Sequence, residues 1–165
     1  MLILAFETSA KAASVALLED GKLLGESYQN TGLTHSQTLL VMVQSLLDQC
    51  GKTVEDVTAV AVAAGPGSFT GVRIGISTAK GLACGANVPL LGASTLDACA
   101  WTAWRAGERG LVGVLADAMR GEVYPALYRI DETGPQRLFD RERVVKAAVA
   151  LDEWRERADW TEIRL

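Results

Sequence analysis

The stretch Gly65-Pro66-Gly67-Ser68-Phe69-Thr70-Gly71-Val72-Arg73-Ile74-Gly75 carries most of the information in this chain. It follows a continuous apolar run, Val57 to Ala64, which suits a strand covered on both faces. It leads into a helix predicted over Thr70 to Gly85. A strand, a glycine loop and a helix start aim backbone N–H groups at one point, where anions bind readily. Ser68 and Thr70 add hydroxyl donors to that point. No Gly-Lys-Ser/Thr closes the loop, which excludes a Walker A phosphate loop, and the glycine spacing is not GxGxxG. Taken alone, the loop reads as a tight turn with an N-cap.

The helix behind it is more telling. Gly71, Gly75, Ala79 and Ala83 recur every four residues, and Ser77, Gly81 and Gly85 form a second row. Each mid-helix glycine costs about 0.5–1 kcal/mol relative to alanine, so the rows need a compensating close approach. The approaching element is either the chain's own sheet or a second partner. A preceding helix is predicted from His35 to Cys50, capped by Thr34 and ended by Gly51. Leu39, Leu40, Val41, Met42, Val43, Leu46 and Leu47 cover more of it than one stripe. Such a helix is central in its domain or half of an interface.

Strands are predicted at Leu2 to Phe6, Ala13 to Leu18 and Lys22 to Tyr28, the last two joined by an Asp20-Gly21 hairpin. Pro89 to Ala93 reads as a strand and Thr95 to Arg105 as a helix. The opening pattern then recurs. Leu111 to Ala116 is a strand ending at Asp117, Ala118 to Gly121 a turn, Glu122 to Ile130 a strand, and Gln136 to Phe139 a third. A helix from Val144 to Ala158 follows. Glu7 and Asp117 hold matching places, which points to two similar lobes.

The 165 residues are nearly half hydrophobic with net charge −4, which excludes a disordered chain and disfavours a nucleic-acid binder acting alone. Cys50, Cys84 and Cys99 are odd in number and widely spaced, so a disulfide framework is not expected. One histidine, His35, and three scattered cysteines do not make a His/Cys metal site. They also supply no Ser-His-Asp or Cys-His grouping. A metalloprotease is therefore the weakest reading. Glu7 and Asp117 either hold Mg²⁺ across a cleft or cap their own turns. No apolar run approaches the ~20 residues that span a bilayer.

Phe6-Glu7-Thr8-Ser9, Ser14-Val15-Ala16-Leu17, His35-Ser36-Gln37, Gly65 to Gly75 with Ala79-Lys80-Gly81-Leu82-Ala83, and Asp117-Ala118-Met119-Arg120-Gly121-Glu122-Val123-Tyr124 together resemble one family. It is the TsaB (YeaZ) family of bacterial tRNA threonylcarbamoyladenosine biosynthesis proteins. The resemblance implies an α/β fold of the actin-like ATPase (ASKHA, ribonuclease H-like) class. It implies two similar lobes, at 1–106 and 107–165, the second incomplete because family chains run longer. It implies a cytoplasmic, non-catalytic subunit that dimerises with the catalytic paralogue TsaD, with the ATPase TsaE joining. That complex makes threonylcarbamoyladenosine in ANN-decoding tRNAs. Alone, the chain is expected to form a homodimer, to meet tRNA only through the complex, and to bind no membrane. No cofactor is expected on the chain alone, with ATP or ADP entering in the assembled complex.

The resemblance places the dimer interface on Leu39, Met42, Val43 and Leu46 of the first helix and on Gly71, Gly75, Ala79 and Ala83 of the second. Anion or nucleotide binding falls to Glu7, Thr8, Ser9, Gly67, Ser68 and Thr70. No catalytic or metal residue is assigned, because the paralogue's HxxxH metal pair falls on Thr95 and Cys99. Two departures stand out: Glu7 where the family has Asp, and Met119 where it has Arg. The alternative is an active ATPase or small-molecule kinase of the same fold, using Glu7 and Asp117 with Mg²⁺.

Overall fold

A computed structural model describes residues 1–32, 34–138, 143–157 and 163–164. The chain divides into two compact units, Met1–Ala93 and Ser94–Leu165.

In the first unit, β1 (Leu2–Glu7), β2 (Ala13–Glu19) and β3 (Lys22–Gln29) form an antiparallel meander. Asp20 and Gly21 both take positive φ, the conformation of a two-residue hairpin turn that matches strand twist. Helix α1 (His35–Gln49) crosses to β4 (Ala59–Ala63), which lies parallel to β1. A short 3₁₀ turn, Val54–Asp56, precedes β4, so that strand starts two residues later than the apolar run suggests. Helix α2 (Phe69–Ala86) then leads to β5 (Leu90–Ala93), parallel to β4. The sheet order is β3-β2-β1-β4-β5.

The strand alternation sets the core. Leu4 pairs with Leu17 and Phe6 with Val15, so their side chains share one face of the sheet. Leu39, Met42, Val43, Leu46 and Leu47 of α1, with Ala79 and Ala83 of α2, cover that face. These α1 positions follow the i, i+3, i+4, i+7, i+8 spacing of a core-facing stripe.

The second unit repeats the order. Strands β6 (Gly110–Asp117), β7 (Glu122–Asp131) and β8 (Gly134–Arg137) form an antiparallel meander. A two-residue strand β9 (Val145–Lys146) pairs with β7, helix α4 (Ala147–Arg157) follows, and β10 (Ile163–Arg164) lies parallel to β6. Thus β6, β7, β8, α4 and β10 reproduce the pairing directions of β1, β2, β3, α1 and β4. The predicted ends at Phe139 and Ala158 lie outside the described residues.

The lobe boundary differs from the expected one after residue 106. Helix α3 (Thr95–Arg105) belongs to the second unit, because Leu96 and Ala100 are buried against Val112, Ala126, Tyr128 and Ile130 of that sheet. The stripe that decides its allegiance is only two buried residues wide, too narrow to assign from sequence.

Candidate functional site

The glycine loop closes on the residues that follow β1. Thr8 is fully buried, and its hydroxyl donates to the Gly71 carbonyl at 2.9 Å. A Cβ at Gly71 would sit 2.1 Å from the Thr8 carbonyl oxygen, and one at Gly75 2.2 Å from Thr8 Oγ1. A Cβ at Gly67 would sit 2.5 Å from the Ser9 carbonyl oxygen. That oxygen accepts the Ser68 N–H at 2.6 Å. Ser68 caps α2, its Oγ accepting the Gly71 N–H at 3.2 Å. Glu7 Oε1 accepts the Ser9 N–H. The His35 ring at the start of α1 places Nε2 3.0 Å from the Ala10 carbonyl oxygen, a contact that needs the proton on that nitrogen.

This geometry accounts for the first small-residue row. Gly71 and Gly75 let the axis of α2 approach the Thr8 backbone and hydroxyl, so the approaching element is the chain's own β1 end. It also bears on the expected anion site. Glu7, Thr8, Ser9, Gly67 and Ser68 are brought together. The Thr8 hydroxyl, the Ser9 and Ser68 N–H groups and the Ser68 hydroxyl are all bonded within the cluster. Thr70 stands apart, exposed on the outer side of α2. Asp117 behaves as Glu7 does, its Oδ1 accepting the Met119 N–H at 2.8 Å. Each acid caps its own turn.

The interface residues need correcting. Leu39, Met42, Val43 and Leu46 of α1, and Gly71, Gly75, Ala79 and Ala83 of α2, are all buried within the first unit. They pack inside that unit, and Leu39 also lines the groove between the two helices. The surface of the same two helices is built from other residues. Along α2, Phe69, Arg73, Ser77, Gly81 and Gly85 fall four apart on one exposed line. Phe69 is 75% exposed, and the Arg73 guanidinium lies 5.1 Å from its ring centroid. On α1, Leu40 and Val41 are 55% and 66% exposed. Between the helices runs a groove of about 470 Å³, lined by Ser36, Leu40, Phe69, Thr70, Ile74 and Ser77 among others.

A Cβ at Gly81 or Gly85 would meet nothing within 4 Å. These two helical glycines therefore have no internal packing reason, unlike Gly71 and Gly75. A sequence signal separates the rows: Arg73 and Lys80 flank the Ser77–Gly81 line, so that line faces solvent, and Leu40 and Val41 lie off the α1 stripe.

In the second unit, Tyr128 is buried and its hydroxyl donates to Asp97 Oδ1 at 2.6 Å. Burial, then the Asp97 carboxylate, pushes the phenol above its ordinary value. Arg137 Nη1 lies 3.8 Å from the same Asp97 oxygen. Thr95 is half-buried and Cys99 exposed on α3. Among the described residues no three His, Cys, Asp or Glu side chains cluster as metal ligands would, and no helix is long and apolar enough to cross a membrane.

Residues 29–151 match the family model described as "TsaD: tRNA N6-adenosine threonylcarbamoyltransferase". The chain belongs to the TsaD/TsaB family. The chain is 45% identical over 90% of its length to the "tRNA threonylcarbamoyladenosine biosynthesis protein TsaB" of Escherichia coli. The matched part covers 64% of that TsaB relative, so the chain spans less than two thirds of its length. "YeaZ from Pseudomonas aeruginosa" superposes with a TM-score of 0.79 and 38% identity, covering 87% of this chain and 66% of that one. The "Activator of the 2-Hydroxyisocaproyl-CoA Dehydratase from Clostridium difficile with bound ADPNP" superposes with a TM-score of 0.54 at 13% identity, over 98% of this chain and 55% of that one. That distant likeness speaks to the fold alone, which is the actin-like one expected for the TsaD/TsaB family.

Proposed function

We propose that the chain is a non-catalytic, cytoplasmic subunit in the synthesis of threonylcarbamoyladenosine on tRNA, and that it works by associating with a TsaD-type chain. The association uses the outer face of α1 and α2. Gly81 and Gly85 carry this reading: they are exposed helical glycines, open to solvent, in the row of Ser77, on a helix pair that also exposes Leu40, Val41 and Phe69. A face stripped of side chains at a fixed spacing of four lets a second helix approach closely, as small-residue rows do. The flanking aromatic and aliphatic side chains supply the apolar area that an interface core needs. A homodimer formed on the same face is the expected state of the chain alone, and a TsaE-type ATPase joins the assembly.

The test is the affinity of the chain for a TsaD-type protein. Gly81→Arg and Leu40→Asp place bulk or charge on the face without touching the core. Each is expected to weaken association by about 30-fold or more, on the order of 2 kcal/mol, with unchanged circular dichroism. Unaltered affinity in both would overturn the reading. The internal bonding of the Thr8–Ser9–Ser68 cluster supports a chain that holds no nucleotide alone. Calorimetry with ATP and Mg²⁺ is expected to be flat, and micromolar binding lost in Glu7→Ala would instead support an ATPase.

A further inference from the structure

The two helices of the outer face bring few charges, and those few are one-sided. Helix α2 contains Arg73 and Lys80 and no carboxylate anywhere along Phe69–Ala86. Both side chains are exposed, and Arg73 lines the groove itself. The Arg73 guanidinium lies over the Phe69 ring. Among the described residues, neither cation has a carboxylate within ion-pair distance. Seven residues separate them, two turns or about 10 Å along the axis, so they lie on one line of the helix. Helix α1 adds His35 and Asp48. His35 is engaged with the Ala10 carbonyl, and Asp48 Oδ1 accepts the Gln44 side-chain amide at 2.9 Å. A chain of net charge −4 thus presents, beside an apolar groove, two helices whose balance is positive.

An isologous dimer sets this face against itself. Each copy then brings Arg73 and Lys80, with Asp48 as the only carboxylate of the two helices. Like charges across an interface oppose association, and salt relieves them by screening. Unlike charges favour association, and salt weakens them. We propose that Arg73 and Lys80 select the partner: they favour a TsaD-type chain that lays two carboxylates about 10 Å apart along the groove, against a second copy of this chain. The inference rests on the reading of this face as the association surface. The homodimer of the chain alone forms against its own cations, and the mixed pair forms with their help. Two cations neutralise too few phosphates to hold RNA, and the exposed Leu40 and Val41 beside the groove call for an apolar surface.

The test measures two affinities as a function of salt: this chain for itself, by sedimentation, and this chain for a TsaD-type protein, by interferometry. Between about 0.1 M and about 1 M salt the screening length falls from about 10 Å to about 3 Å. Added salt is expected to tighten the homodimer and loosen the mixed pair, each by about 3-fold or more. The double substitution Arg73→Gln with Lys80→Gln is expected to do both at low salt, to flatten the two salt responses and to leave circular dichroism unchanged. Lys80→Gln alone, which keeps the Arg73–Phe69 contact, should move both affinities in the same directions. Arg73→Lys should retain the parent's preference. A homodimer that loosens with salt as the mixed pair does would overturn the proposal. So would a mixed pair that changes by less than about twofold in the double variant, no gain of homodimer there, or a loss confined to tRNA binding. If Gly81→Arg abolishes both associations while the charge variants behave as the parent does, the charge selection falls and the association face stands. If Gly81→Arg and Leu40→Asp leave both associations intact, the face falls and the selection with it.

Discussion

Gly75→Ala should destabilise the first unit although alanine is the better helix former. Intrinsic propensity alone favours the substitution by about 0.5–1 kcal/mol. The new methyl, however, would sit 2.2 Å from Thr8 Oγ1, 3.4 Å from Thr8 Cβ and 3.5 Å from Val62 Cγ2. Overpacking of this kind costs about 1–3 kcal/mol. Moving the Thr8 hydroxyl off the Gly71 carbonyl leaves a buried polar group unpaired, at about 1–3 kcal/mol more. The net is a loss of about 1–5 kcal/mol. Gly81→Ala, at an exposed position of the same helix, should gain about 0.5–1 kcal/mol, because nothing lies within 4 Å of its new methyl. All four tryptophans lie beyond residue 93, so their fluorescence is blind to this unit. Urea unfolding is therefore followed by far-ultraviolet circular dichroism and by hydrogen exchange of the 69–86 segment. Thr8→Ala removes the atom the methyl strikes, so the double substitution should be less damaging than the sum of the singles by about 1–2 kcal/mol. A Gly75→Ala chain as stable as the parent, or a Gly81→Ala chain less stable, would refute the assignment of inward and outward rows.

Gly134 has φ of +135°, and a Cβ there would lie 2.5 Å from Trp101 Cη2, so Gly134→Ala should destabilise the second unit by about 2–3 kcal/mol, read by tryptophan fluorescence in urea. The raised phenol of Tyr128 makes that unit sensitive to alkali. The folded state keeps a proton that the unfolded chain gives up near its ordinary value of 10.0, so this contribution is full below pH 10 and declines above it. Comparing urea midpoints at pH 9 and pH 11 should show a loss in the parent and a smaller loss in Tyr128→Phe. Ser68→Ala removes the N-cap acceptor of α2 and should cost about 1 kcal/mol, measured by the circular dichroism melt.

Much of the fold was legible because it rests on local patterns. The Asp20-Gly21 turn, the Thr95–Arg105 helix and the repeated strand–acid–turn order all appear in the sequence and recur in the structure. Strand β10 of the second sheet did not, since it is two residues long and is defined by its pairing with β6, not by any pattern of its own. The site was half legible. The two small-residue rows of α2 are plain in the sequence, but which row faces the sheet depends on where Thr8 sits, a contact 63 residues away. The family resemblance, taken residue by residue, fell on the buried sides of α1 and α2. The flanking charges Arg73 and Lys80 were the overlooked clue, since neither could enter the core beside Val62.

The central claim is that this chain contributes a face and no chemistry. Its most direct test is threonylcarbamoyl transfer to tRNA, reconstituted with TsaD-type and TsaE-type proteins while this chain is titrated in. Turnover should rise with the chain and saturate at one copy per TsaD-type chain, and Gly81→Arg should fail at concentrations where the folded parent saturates. Undiminished turnover with Gly81→Arg, or full turnover with this chain left out, would contradict the account.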